Sequence, residues 1–135
     1  MSLREEEERD TLISLYLAKS DETLEDARFN RSQERWNAAA NRLYYALFHA
    51  ITALFVSDGI PVHSHSGMKI CFGKEYVLTG LATDEEGKLL SQMETMRERA
   101  DYDATFKATK ALIDEKFVAV EKMILRMKEL TFRMR

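Results

Sequence analysis

Helix-breaking residues are scarce in this chain. A single proline, Pro61, and five glycines stand among 135 residues, so long uninterrupted elements are expected. One cysteine, Cys71, excludes an internal disulfide framework and fits a reducing, cytoplasmic setting. No segment reaches the roughly 20 apolar residues that span a bilayer. The most apolar run, Tyr44 to Val56, is shorter and is interrupted by His49 and Thr52, so no membrane association is expected. The opening "MSLREEEERD" contains no apolar stretch, so no signal peptide is expected either.

Familiar chemical signatures are also missing. There is no Gly-rich phosphate loop, nucleophile elbow or HExxH sequence. His63 and His65 lie two apart with Cys71 beyond, a pattern that matches no standard zinc spacing. Neither a metal nor a cofactor is expected. A formal net charge of -3 argues against coating nucleic acid by bulk electrostatics. The charge is unevenly spread, however. Glu5 to Glu8, Asp10, Asp21, Glu22, Glu25 and Asp26 make the start acidic, while Lys116, Lys122, Arg126, Lys128, Arg133 and Arg135 make the end basic. Two readings stand: complementary helix faces, or a local basic surface for phosphates.

What is present is helical periodicity. Ile13, Leu17, Leu24 and Ala27 predict a helix from about Glu5 to Asn30, with Ser20 in the gap. "NRSQ" at 30–33 reads as a turn, with Ser32 as N-cap of a second helix running to about Ser57. Trp36, Ala39, Leu43, Ala46 or Leu47, Ala50 and Leu54 form its apolar stripe, whose alanines would let a neighbouring helix approach closely. Residues 57–67 read as a loop and about 68–78 as a short helix ending at Gly80. Thr83 and Glu86 stand at capping-box spacing before Leu89, Met93, Met96 and Ala100, with Met93 and Met96 expected in the core. A last helix from about Ala104, capped by Asp103, carries Ile113, Phe117, Val120, Ile124, Met127 and Met134. The fold class is all-α, an up-down bundle of three long and two short helices. Residues 1–135 suffice for one such domain.

Two clusters exceed what burial requires. Within "NRLYYALFHA", residues 41–50, Arg42, Tyr45 and His49 stand at i, i+3 and i+7 and share one helix face. One reading is a buried polar network at a helix or subunit contact. The other is an anion or nucleotide site, with arginine for phosphate, tyrosine for stacking and histidine for hydrogen bonding or proton transfer. In "RERADYD", residues 97–103, Arg97 and Arg99 precede Asp101 and Tyr102. Arginines suit a helix C-terminus, and Asp101 is placed to pair with either.

Taken together, "NRLYYALFHA" (41–50), "HSG" (65–67), "FGKEYVLTG" (72–80) and "RERADY" (97–102) resemble the HEPN superfamily over about Trp36 to Tyr102. The similarity is to its small prokaryotic branch, often encoded beside a minimal nucleotidyltransferase. The resemblance implies a helical bundle forming a two-fold homodimer, cytoplasmic, and commonly one half of a toxin–antitoxin pair. Active members are metal-independent endoribonucleases with an arginine, four to six residues, then a histidine. The ribose 2′-hydroxyl attacks the adjacent phosphodiester while histidine handles the proton and arginine stabilises the phosphorane.

In this chain Arg97 is followed after four residues by Tyr102, a poor proton acceptor at neutral pH. Arg42 and His49, with six residues between them, satisfy the literal spacing on the earlier helix. Arg42, His49 and Arg97 are therefore the candidate catalytic residues, and Arg42, Tyr45, His49, Arg97, Asp101 and Tyr102 the candidate nucleotide- or RNA-binding set. The resemblance also implies a nucleotidyltransferase-type partner and makes Tyr102 a candidate adenylylation site. The expected function is nucleotide or RNA binding within a toxin–antitoxin pair. The alternatives are an active endoribonuclease toxin and a purely structural helical dimer.

Overall fold

A computed structural model describes residues 1–61 and 64–135, and the described residues form helices and connections without a strand. The elements are α1 (Leu3–Ser32), α2 (Trp36–Asp58), α3 (His65–Phe72), α4 (Asp84–Tyr102) and α5 (Lys110–Thr131), with a π-helical turn over Gly73–Val77 extending α3. The fold is the all-α bundle that the periodicity predicts.

α2 is the axis. Ala39, Leu43, Ala46, Leu47, Ala50 and Leu54 are all fully buried, as are Ile51 and Phe55. Its alanines let α1 come close enough for the Ser20 hydroxyl to donate to the Ala46 carbonyl at 2.7 Å. Ser20 therefore belongs to the interface. Each fully buried Leu, Ile or Phe contributes about 1.5–3 kcal/mol, and these contacts dominate the packing.

Ion pairs report the direction of each helix. Asp21–Lys128 at 2.7 Å, Arg28–Glu121 at 2.8 Å and Arg31–Asp114 at 3.8 Å run α1 antiparallel to α5. Asn41 bonding Asp101 at 3.0 Å and Arg97 lying 5.4 Å from the Tyr44 ring centre together set α2 antiparallel to α4. Arg126–Glu86 at 3.5 Å and Lys116–Gln92 at 2.9 Å set α4 antiparallel to α5. The result is an up-down-up-down bundle. Such exposed pairs are worth about 0–1 kcal/mol each, so they mark register more than they stabilise. The complementary-face reading holds for the Asp21–Lys128 pair, whereas Glu5 to Glu8 are exposed on the free end of α1.

Several boundaries differ from the sequence reading. Ser32 does not cap α2: it ends α1 and its hydroxyl donates to the Phe29 carbonyl at 2.6 Å. The turn is made instead by Glu34, in the left-handed region at φ 58°. α3 begins at His65, inside the predicted loop, because the Ser64 hydroxyl accepts from the Gly67 N–H at 3.1 Å. The loop positions Val62 and His63 lie outside the described residues, so His63 is not placed.

α4, at 19 residues, is a full bundle helix rather than a short one, opened by the predicted Thr83–Glu86 capping box. α5 starts at Lys110 with Thr109 as its cap. Asp103 instead holds the Thr105 N–H and hydroxyl at 2.9 and 2.7 Å, so the chain turns there before α5 can begin. Met134 lies past the end of α5 and is 97% exposed, not in its apolar stripe. Met93 and Met96 are buried as expected.

The C-terminus is latched onto the end of α2. Asp58 accepts from the Tyr76 hydroxyl at 2.6 Å, from Arg133 at 3.1 and 3.2 Å and from Arg135 at 2.8 Å. Burial would raise the Asp58 carboxyl, but these bonds outweigh it and hold the pKa below the usual carboxylate range. A depressed carboxyl stabilises the fold above its unfolded pKa and loses that stabilisation as pH falls through the folded value. Asp58→Ala strands the buried Tyr76 hydroxyl and costs about 1–3 kcal/mol. Thermal melts should show a lower midpoint for the variant at pH 7, and a gap to the parent that narrows below about pH 4.

Candidate functional site

Tyr45 is the hub of the predicted residues. α2 lies against α1, α4 and α5, so its polar side chains emerge only along a seam, and Tyr45 sits half-buried within it. The Arg42 guanidinium lies 5.3 Å from the Tyr45 ring centre and the Arg97 guanidinium 5.9 Å. His49 stands 6.3 Å away, ring to ring. The Arg42 and Tyr45 end of the α2 face thus meets the last turns of α4, with His49 one turn further along α2.

Arg97 is 6% exposed, projecting from α4 onto the rings of Tyr44, at 5.4 Å, and Tyr45. Asp101, one turn on, approaches it at 3.7 Å, and Glu98 at 3.8 Å. Both separations exceed hydrogen-bond length, and the buried Nε of Arg97 has no partner among the described residues. Asp101 also accepts both Asn41 Nδ2 bonds, at 3.0 and 3.2 Å, and the Asn41 oxygen in turn accepts from Arg42 at 2.7 and 2.9 Å. A chain Arg42–Asn41–Asp101–Arg97 therefore ties α2 to α4. Of the two arginines open to Asp101, it is Arg97 that pairs; Arg99 instead lies over the Phe106 ring at 5.5 Å.

Of the six residues predicted to bind a nucleotide or RNA, Arg42, Tyr45, Arg97 and Asp101 are joined in this way, His49 stands beside Tyr45 one turn along α2, and Tyr102 stands apart at 81% exposed. Tyr102 is the last residue of α4 and projects into solvent. His49 lies within reach of the Lys19 charge of α1, and its buried Nδ1 has no partner among the described residues. Burial first, then the charges of Lys19 and Arg42, lowers its pKa to about 4, so it is neutral at pH 7.

Four neighbours escaped the sequence reading as site residues. The Tyr44 hydroxyl and His65 Nδ1 are hydrogen-bonded at 2.9 Å. His65 stands among the rings of Tyr45 at 5.6 Å and Phe48 at 4.8 Å. Glu94, one turn before Arg97, is 5% exposed and faces Lys69 of α3 at 3.4 Å. Burial, then Glu94, pushes the Tyr44 phenol well above its ordinary range, while Arg97 opposes the shift. Tyr44 and His65 sit inside the quoted motifs; nothing in the spacing singles out Lys69 or Glu94. Chemically, the seam offers cations, aromatic faces and imidazoles, a set that receives phosphate and stacks bases. A separate groove of about 790 Å³ between α4 and α5, lined by Leu89, Met123 and Leu125 among others, contains none of the predicted site residues. Among the described residues, no cluster of three or more His, Cys, Asp or Glu could hold a metal.

The His49 environment has a measurable consequence. A histidine whose folded pKa lies below its unfolded value penalises the folded state as pH falls from the unfolded value, 6.5, toward the folded one, about 4. His49→Gln removes that penalty. Melting curves from pH 7.5 to 4.5 should show the parent losing more stability than the variant over the acid half of the range.

The comparisons with known proteins agree with this architecture. The HEPN domain family matches residues 13–130. A UPF0332 protein of Thermotoga maritima is 36% identical over 95 residues, covering 70% of this chain and 72% of that relative. Two Methanocaldococcus jannaschii proteins, named "Putative toxin MJ0142" and "Putative toxin MJ0605", are 31% and 26% identical, covering 82% and 87% of this chain and 72% and 90% of theirs. No described helix is long and apolar enough to cross a membrane. With the family match spanning most of the bundle and all of its seam, the chain belongs to the HEPN domain family.

Proposed function

We propose that the seam between α2 and α4 binds the phosphate group of a nucleotide or an RNA strand, and that the protein is one component of a toxin–antitoxin pair. The observation that carries the binding role is Arg97: a buried guanidinium resting on two tyrosine rings, whose Nε has no partner among the described residues and whose neighbouring carboxylates stand at ion-pair distance. Buried donors left without partners cost about 1–3 kcal/mol each, and an arriving phosphate oxygen recovers that cost. Arg42 adds a second cation beside the same ring. The toxin–antitoxin role draws support from family membership and from the relatives named as toxins.

A two-fold homodimer and a nucleotidyltransferase-type partner protein complete this reading. The exposed Tyr102 hydroxyl is sterically open to such an enzyme, which supports it as the modification site. A cytoplasmic location fits the single cysteine.

Metal-independent RNA cleavage is the second reading, favoured by two imidazoles, His49 and His65, beside the Tyr45 ring that Arg42 and Arg97 also approach. Arginine would then stabilise the phosphorane, and an imidazole would take the 2′-hydroxyl proton.

Calorimetric titration with ATP and with a short single-stranded RNA tests the binding role. Arg97→Ala should weaken binding about 10- to 100-fold, the loss expected for one charge-assisted contact. Failure of the parent protein to bind either ligand rejects the reading. Incubation with RNA in EDTA tests cleavage. Fragments ending in 2′,3′-cyclic phosphate should disappear in Arg97→Ala and in His49→Ala, and cleavage that persists in both eliminates those two side chains as catalysts.

A further inference from the structure

The imidazole closest in character to a ligand-binding group comes from none of the predicted positions. Two further elements converge around Tyr44 of α2: α3 with His65 and Lys69, and α4 with Glu94 and Arg97. Tyr44 joins them physically. Its hydroxyl meets His65 Nδ1 at 2.9 Å, and its ring is flanked by His65 at 5.5 Å and by the Arg97 guanidinium at 5.4 Å. Tyr45 is flanked by the same two groups, at 5.6 and 5.9 Å. His65 and Arg97 therefore share both tyrosines as neighbours although they lie on different helices.

The chemistry of the pair follows from Tyr44. Its buried phenol stays protonated at all ordinary pH values, so it always has a hydrogen to donate and lone pairs to accept. Engaging Nδ1 fixes the ring plane of His65 and leaves Nε2 as the nitrogen for an outside group. Two nine-tenths-buried charged side chains nearby, Arg97 and Glu94, each retain a polar atom without a hydrogen bond among the described residues. Lys69 stands 3.4 Å from Glu94, with its side chain 41% exposed. It carries a second cation to the edge of the same cluster.

We infer that His65 is a ligand-contacting residue of this site, held through Nδ1 by the Tyr44 hydroxyl and presenting Nε2 to a phosphate ester whose charge Arg97 and Lys69 receive. The inference rests on the phosphate-binding reading above and adds to it a residue, a positioning hydroxyl and a third helix. When Tyr44 donates to Nδ1, Nε2 carries the hydrogen and donates to a phosphate oxygen. When Nδ1 carries the hydrogen and Tyr44 accepts, the Nε2 lone pair faces the ligand and accepts from a ribose hydroxyl. One residue thereby serves either edge of a nucleotide.

Long-range 15N–1H spectra of the full-length protein with labelled histidine, recorded with and without ATP or a short RNA, test this directly. The Nε2 resonance of His65 should move on ligand addition. Tyr44→Phe should shift the Nδ1 resonance and change the balance of His65 tautomers, a readout that loss of packing alone does not produce. His65→Gln should weaken binding about 10-fold while leaving the melting curve that of a folded helical protein. If the parent binds ligand with its His65 Nε2 unmoved, Arg97→Ala weakens binding as expected and His65→Gln binds like the parent, then this inference is overturned while the proposed function stands. If the parent binds neither ligand, both fall together.

Discussion

The enclosure of α2 is the constraint on which everything else rests. Ala39, Ala46 and Ala50 have no exposed surface, and their small size permits the 2.7 Å contact between Ser20 and the Ala46 carbonyl. A larger side chain at Ala46 would push α1 outward from α2. Once α1, α4 and α5 surround α2, a polar residue on α2 has few directions in which to leave the core. Arg42, Tyr45 and His49 share one such direction because 3.6 residues make a turn. Burial of the leucines and Phe55 supplies the energy; the ion pairs between α1 and α5 only report which register results.

Two kinds of arginine appear in this protein, and the contrast between them is informative. Arg133 and Arg135 converge on Asp58 with bonds of 2.8 to 3.2 Å, alongside a Tyr76 hydroxyl at 2.6 Å. That is the usual end state of a structural guanidinium, its donors matched to a carboxylate. Arg97 is more deeply buried yet less well matched, with Asp101 and Glu98 at 3.7 and 3.8 Å and its Nε without a partner among the described residues. Cation–π contacts of about 0.5–2 kcal/mol hold the charge in place without consuming its donors. The surroundings fix the position of Arg97 and leave its hydrogen-bonding capacity open. That arrangement suits reception of an anion better than closure of a core.

The long helices were legible in the sequence because apolar periodicity of 3 and 4 survives any ambiguity about their ends. The Thr83–Glu86 box was legible for the same local reason: both halves of the cap lie within four residues. Ser32 and Asp103 misled because a side chain that caps one helix also closes a turn, and only the neighbouring backbone decides which. The start of α3 at His65 depends on Ser64 bonding Gly67 within a segment rich in glycine, serine and proline, where turn signals mask a cap. At the site, Arg42, Tyr45 and His49 could be grouped by spacing, since one helix carries all three. Lys69 and Glu94 belong to different helices, and no periodicity relates residues that meet only through tertiary packing.

The position of Tyr102 follows from the same helical geometry. Successive residues turn by about 100°, so Asp101 stands roughly 40° from Arg97 around α4, while Tyr102 stands roughly 140° away. Asp101 accordingly joins the seam, and Tyr102 is left 81% exposed. Any side chain at position 102, histidine included, would face solvent or a second molecule rather than Tyr45. An imidazole does reach the tyrosine rings from another helix: His65 of α3, bonded to the Tyr44 hydroxyl at 2.9 Å. Arginine and histidine are thus brought to the same pair of tyrosine rings by packing of α3 against α2 and α4, and their separation along the chain is incidental.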